Sequence, residues 1–100
     1  MLSSPESHSS SDNVVTTWLE RGDEFFQLQR YREAIAAYNR AIELDPRSYL
    51  AWFKRGITSE NLQHLEDALT SYDKVVEFQP GDYLAWFKRG AVLESLEQPR

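Results

Sequence analysis

Cysteine is absent from the 100 residues, so neither a disulfide nor a thiolate metal site can form, and the redox compartment is left open. Basic residues are scarce as well: 11 Lys and Arg against 16 Asp and Glu leave a net charge of −5. A phosphate backbone needs a basic face, so no nucleic-acid partner is expected. No apolar run approaches the roughly 20 residues of a membrane span, and the N-terminus lacks the apolar core of a signal peptide. The chain therefore reads as soluble and cytoplasmic, with no membrane partner. The two histidines, His8 and His64, stand far apart with no clustered ligands around either, which leaves no metal site and points to no cofactor. Glycine and proline number only four each, and most of them fall at repeated positions.

What is present is a repeat. The eight residues Tyr49 to Gly56, YLAWFKRG, return unchanged at Tyr83 to Gly90, an offset of 34 residues. Moving the same distance toward the N-terminus from Trp52, Gly56 and Pro80 reaches Trp18, Gly22 and Pro46. Internal periods of this size mark solenoids, in which each unit covers its apolar face only by stacking on its neighbours. The frames run over 15–48 and 49–82, with a partial third over 83–96. A chain of this length buries only about two thirds of its unfolded surface, so the aromatic residues along the seams are expected to dominate stability.

Residues 1–13 are Ser-rich and lack apolar periodicity, a composition expected to remain a disordered tail. The array then occupies 14–98. Asp12 or Asn13 offers an N-cap for a helix over 14–28, and a polar turn at Gln29 and Arg30 precedes a second helix with Ala34, Ile35, Tyr38, Ala41 and Ile42 on one face. That helix ends near Leu44, because Pro46 can neither continue it nor tolerate helical geometry before it. Ser48 and Asp82 are good capping types ahead of helices over 49–62 and 83–96, and a further helix over 65–78 turns Ala68, Leu69, Tyr72, Val75 and Val76 inward. Five helices joined by short connections must alternate in direction.

The letters at these positions resemble the tetratricopeptide repeat (TPR) signature: Trp18, Gly22, Phe25, Ala34, Tyr38 and Pro46 in the first unit, Trp52, Gly56, Ala68, Tyr72 and Pro80 in the second, and Trp86 with Gly90 in the third. The resemblance implies an all-α, TPR-type right-handed solenoid of antiparallel helix pairs. Gly22 and Ala34, like Gly56 and Ala68, are expected where paired helices approach closely. The three tryptophans are expected in the core, and Trp52 in particular as the anchor of a seam. Departures are also visible. Arg21, Arg55 and Arg89 stand where the signature has Leu, with stems expected to cover apolar surface while their heads reach water. Ser59 replaces an aromatic residue, which predicts a loosened second unit offset by Leu65 or Val75.

The resemblance further implies a concave groove lined by the first helix of each unit, and assigns to it Leu19, Asp23 and Phe26, then Leu50, Phe53, Lys54 and Ile57, then Leu84, Phe87 and Lys88. Phe53 and Phe87 would form an aromatic ladder, and Lys54 with Lys88 a charged one able to meet a carboxylate. The two-carboxylate clamp of the family, which holds the acidic C-terminus of heat-shock chaperones, would require Lys at Leu19, Asn at Asp23, Asn at Lys54, Lys at Leu84 and a cation at Lys88. Only Lys88 fits, so that ligand is not expected. Carboxylates adjacent in sequence, such as Asp23 with Glu24, face different directions, and no nucleophile and base are spaced for catalysis. The expected function is a non-enzymatic module that binds a protein or peptide partner in the groove. The alternatives are a self-assembling fragment, associating through an uncapped C-terminal helix, and an accessory domain of a larger multi-repeat protein or enzyme.

Overall fold

The computed structural model describes residues 6–98, with side chains from residue 13 onward. Five helices follow one another, α1 (Glu6–Gln27), α2 (Tyr31–Leu44), α3 (Tyr49–Asn61), α4 (Leu65–Phe78) and α5 (Tyr83–Glu97), and the described residues contain no strand. Each helix packs chiefly on its neighbour in sequence, α1 on α2, α2 on α3, α3 on α4 and α4 on α5. The result is an all-α solenoid of helix pairs.

The N-terminal boundary differs from expectation. α1 begins at Glu6, so 6–13 is helical where a disordered tail was expected, while 1–5 lies outside the described residues. Once a helix exists, each added residue gains a hydrogen bond without the cost of a new nucleus. Asn13 is accordingly inside the helix rather than its cap, and its carbonyl accepts from Thr17 Oγ1 at 2.8 Å.

The repeated unit specifies its own punctuation. Ser48 Oγ accepts from the Ala51 amide at 3.3 Å, and Asp82 Oδ1 from the Ala85 amide at 3.1 Å, so both expected caps form. α1 and α3 end in the same reversal. Gln29 and Gln63 take left-handed φ values of 61° and 62°. Around them Arg30 N donates to Phe25 O and Gln29 N to Phe26 O, while His64 N donates to Ser59 O and Gln63 N to Glu60 O. Paired bonds of this kind satisfy carbonyls that a helix end would otherwise leave open.

The core sits between the helices of each pair and is built on two tyrosines rather than on tryptophan. Tyr38 and Tyr72 are buried, as are Ala34, Ala41, Ala68 and Val75. Gly22 and Gly56 make room for their rings: a Cβ on Gly56 would lie 2.7 Å from Tyr72 Cε1, and one on Gly22 would overlap Tyr38. The glycine at each helix crossing thus answers a large ring on the partner helix. Trp18 and Trp52 are only half-buried and Trp86 is exposed, which corrects the expectation of a tryptophan core. An indole N–H needs an acceptor, and here the backbone outside the core supplies it. Trp52 Nε1 donates to Pro46 O at 2.9 Å and Trp86 Nε1 to Pro80 O at 2.8 Å. Trp52 and Trp86 thus fasten the second and third units to the turn before each.

Ser59 is buried, so its small side chain does not open the second unit. Instead, with Ser59 where the first unit has Phe25, Arg55 turns in and its Nη1 donates to Ser71 Oγ at 2.9 Å, while Arg21 stays exposed. Arg55 also lies over Trp52, its Cζ 5.5 Å from the ring centroid. Leu65 does pack beside the Ala68–Tyr72–Val92 cluster, which joins α4 to α5, and Val75 is fully buried.

Candidate functional site

Each tyrosine of the core reaches through to the face formed by the odd-numbered helices. Tyr38 Oη donates to Asp23 Oδ1 at 2.6 Å, and the same carboxylate lies 3.1 Å from Lys54 Nζ on α3. One unit on, Tyr72 Oη donates to Glu60 Oε1, and Lys88 Nζ of α5 lies 3.4 Å from that oxygen. A chain of tyrosine, carboxylate and lysine therefore links three helices, and it occurs twice. Burial pushes both phenols far above their ordinary pKa, and the hydrogen bond to a neighbouring carboxylate and its charge push them further. They stay protonated and act as donors.

The two carboxylates are not at equivalent positions. In the first unit Asp23 is the ninth residue and Phe26 the twelfth, whereas in the second Ile57 is the ninth and Glu60 the twelfth. An acid and an apolar side chain have exchanged places one helical turn apart, and the longer Glu reaches from the more distant position.

Asp23, Phe26, Lys54 and Ile57 come together with Tyr38 around a pocket of about 140 Å³ between α1 and α3. Ile57 and Lys88 meet again, with Glu60 and Asn61, between α3 and α5. Of the remaining candidates, Leu19 is half-buried, Leu50, Leu84 and Phe87 are exposed, and Phe53 packs edge-on against Tyr72 with ring centroids 5.8 Å apart. Phe53 and Phe87 are thus not equal rungs of one ladder: the first belongs to the core cluster, the second to the surface. Lys54 and Lys88 do not form a free charged ladder either, because each is paired within the protein. Sequence reasoning left Tyr38 and Tyr72 out of the site. Their signal was the recurrence of a polar aromatic at one period, since a buried phenol must find an acceptor.

Among the described residues no group of three or more His, Asp or Glu side chains could hold a metal ion, and no helix is long and apolar enough to cross a membrane.

Comparison with known proteins agrees with this architecture. A solved structure described as the first TPR of Spaghetti (RPAP3) bound to HSP90 peptide SRMEEVD superposes with a TM-score of 0.81 at 25% identity, covering 85% of this chain and 69% of that one. The second TPR of the same protein, bound to the same peptide, gives 0.81 at 23% identity, covering 88% of this chain and 83% of that one. Comparison with curated protein sequences finds no significant match. The tetratricopeptide repeat model matches residues 19–83, which is most of the helical array, and the chain belongs to the tetratricopeptide repeat family.

Proposed function

We propose that the chain is a protein-interaction module whose groove, along α1, α3 and α5, binds an apolar segment of a partner protein. The observation that carries this reading is the exposed strip of Leu50, Leu84 and Phe87, which leave 47%, 56% and 71% of their surface in water. Apolar side chains grouped in this way on a soluble domain mark a contact surface. The lysines beside the strip are each held by a carboxylate, so the groove offers apolar contact rather than free positive charge.

A second reading is that the groove takes an acidic C-terminal peptide, because the RPAP3 domain of similar fold binds one. Against it, Leu19, Asp23 and Leu84 occupy positions at which such a peptide would need an amide or a cation, and Asp23 would face its carboxylates. The two readings separate in a single titration series. Selection from a displayed peptide library should enrich sequences with apolar anchors, and Leu50→Asp with Leu84→Asp should abolish their binding while helicity stays unchanged. SRMEEVD should give no measurable binding. Tight binding of SRMEEVD, or selected peptides indifferent to the double substitution, would overturn the proposal.

A further inference from the structure

The pocket between α1 and α3 is held in shape from within. Phe26 lines it from α1 and is braced by Tyr31, the two rings edge to face with centroids 5.3 Å apart. Tyr38 lines it from α2 and is fixed by its 2.6 Å hydrogen bond to Asp23, while Ile57 and Lys54 line it from α3. At about 140 Å³ it is less than half of the roughly 300 Å³ at which pockets for drug-sized molecules begin. It has room for one side chain.

Charge around the pocket is uneven. Asp23 and Lys54 neutralise one another across it, as Glu60 and Lys88 do one unit on. Glu20 stands one helical turn before Asp23 and so neighbours it on α1. It is exposed, and its carboxylate has no ion-pair or hydrogen-bond partner among the described residues. Both groove lysines are therefore taken up by internal acids and one acid is left at the edge of the pocket, in a chain of net charge −5.

We infer that the segment held in the groove is basic as well as apolar: one aliphatic side chain of the partner enters the pocket between Phe26 and Ile57, and a lysine or arginine close to it in the partner's sequence lies against Glu20 and Asp23. The inference rests on the groove reading above and gives its partner a charge. Walls of Phe26, Ile57 and the Tyr38 ring take an aliphatic group without leaving a polar one unpaired, and walls fixed before binding lower the cost of ordering. The cation follows from electrostatic complementarity, since a carboxylate of the partner placed there would meet two acids and a lysine already paired.

The test selects binders of the full chain from a displayed library of random peptides at low ionic strength and titrates the enriched sequences as synthetic probes. They are expected to carry Lys or Arg within a few residues of a Leu, Ile or Met, and to bind more weakly as salt rises. Glu20→Lys is expected to lower their affinity roughly tenfold and to remove most of the salt dependence. Glu66→Lys, an equal change of net charge at an exposed residue of α4, should alter neither. Both sites are exposed, so helicity and thermal midpoint should match the parent and lost binding will not reflect lost fold. Backbone signals of the isotopically labelled chain should shift most around Phe26 and Ile57. Enriched peptides without a basic residue, equal losses in Glu20→Lys and Glu66→Lys, or shifts that spare Phe26 and Ile57 overturn the inference, and the groove reading stands if Leu50→Asp with Leu84→Asp still abolishes binding. Peptides that need Glu20 but are indifferent to that double substitution overturn the exposed strip as the contact surface and leave the pocket standing. Failure to enrich any peptide overturns both.

Discussion

Among the described residues helix α3 packs on both α2 and α4, whereas α5 packs chiefly on α4, although both helices open with YLAWFKRG. Residues that face back toward the preceding pair behave alike: Ala51 and Ala85 are both buried. Those that face forward do not, since Gly56 is buried and Gly90 exposed, and Phe53 is half-buried where Phe87 is open. Identical residues therefore split into two classes according to which neighbour they meet. In a solenoid, the energy of a residue belongs to the interface and not to the repeat that carries it.

The largest test of that view removes the ring that separates the two helices. Tyr72→Ala should cost about 3 to 5 kcal/mol, the range for large buried side chains, read as a shift in the denaturation midpoint. The same question at smaller scale uses one substitution at two equivalent sites. Gly56→Ala should destabilise by about 1 to 3 kcal/mol, because the new methyl group meets Tyr72. Gly90→Ala should stabilise by about 0.5 to 1 kcal/mol, because it lies in a helix with open space around it. Equal effects at the two glycines would mean that the notch at Gly56 has no energetic consequence.

This difference also explains what could be read from the sequence. The period and the turn residues located four of the five helices to within a residue or so, because caps such as Ser48 and stops such as Pro46 act over a few neighbouring residues. The start of α1 escaped that reading, because composition does not report the low cost of extending a helix already formed. Trp52 was expected in the core from its place in the repeat signature, its position on the Gly56 face and its size. Its indole N–H instead bonds Pro46 O and holds the side chain at the edge, a contact six residues away that periodicity does not encode. That Asp23, Phe26, Lys54 and Ile57 lie together around one pocket was legible from the repeat frame. The internal pairing of the lysines was not, because it depends on an acid that moved by one turn between units.

The paired helices differ from α5 in a second way, since each holds a buried phenol against a carboxylate and α5 has only the exposed Tyr83. Tyr38 and Tyr72 have pKa values raised above the ordinary 10.0 by burial first, then by their acid partners. The folded state thus keeps protons that the unfolded chain releases above pH 10, so this contribution is complete below that pH and is lost as pH rises beyond it. The loss should be about 1 kcal/mol per pH unit for each tyrosine. Denaturation curves from about pH 9 to pH 11 should show a smaller loss in a Tyr38→Phe, Tyr72→Phe variant than in the parent. A parent slope matched by the double variant would show that these phenols do not set the alkaline limit.

The smallest effect concerns how the two helices end. α3 leaves through Gln63 at φ 62°, the left-handed turn that sends the chain into α4, whereas Glu97, one period later, is still the last residue of α5 and is followed by Gln98 at φ −78°. A side chain in left-handed geometry meets its own backbone, and glycine avoids that contact. Gln63→Gly should therefore raise stability by about 1 kcal/mol, less the entropy that glycine adds to the unfolded chain. Glu97→Gly should bring no gain, because no left-handed turn exists there to relieve and glycine weakens a helix end. Gln29→Gly, at the matching turn after α1, should repeat the result at Gln63. Thermal midpoints of the three variants decide the matter: a gain at Glu97 equal to that at Gln63 would mean that α5 turns in solution as α3 does, and that the two ends are alike after all.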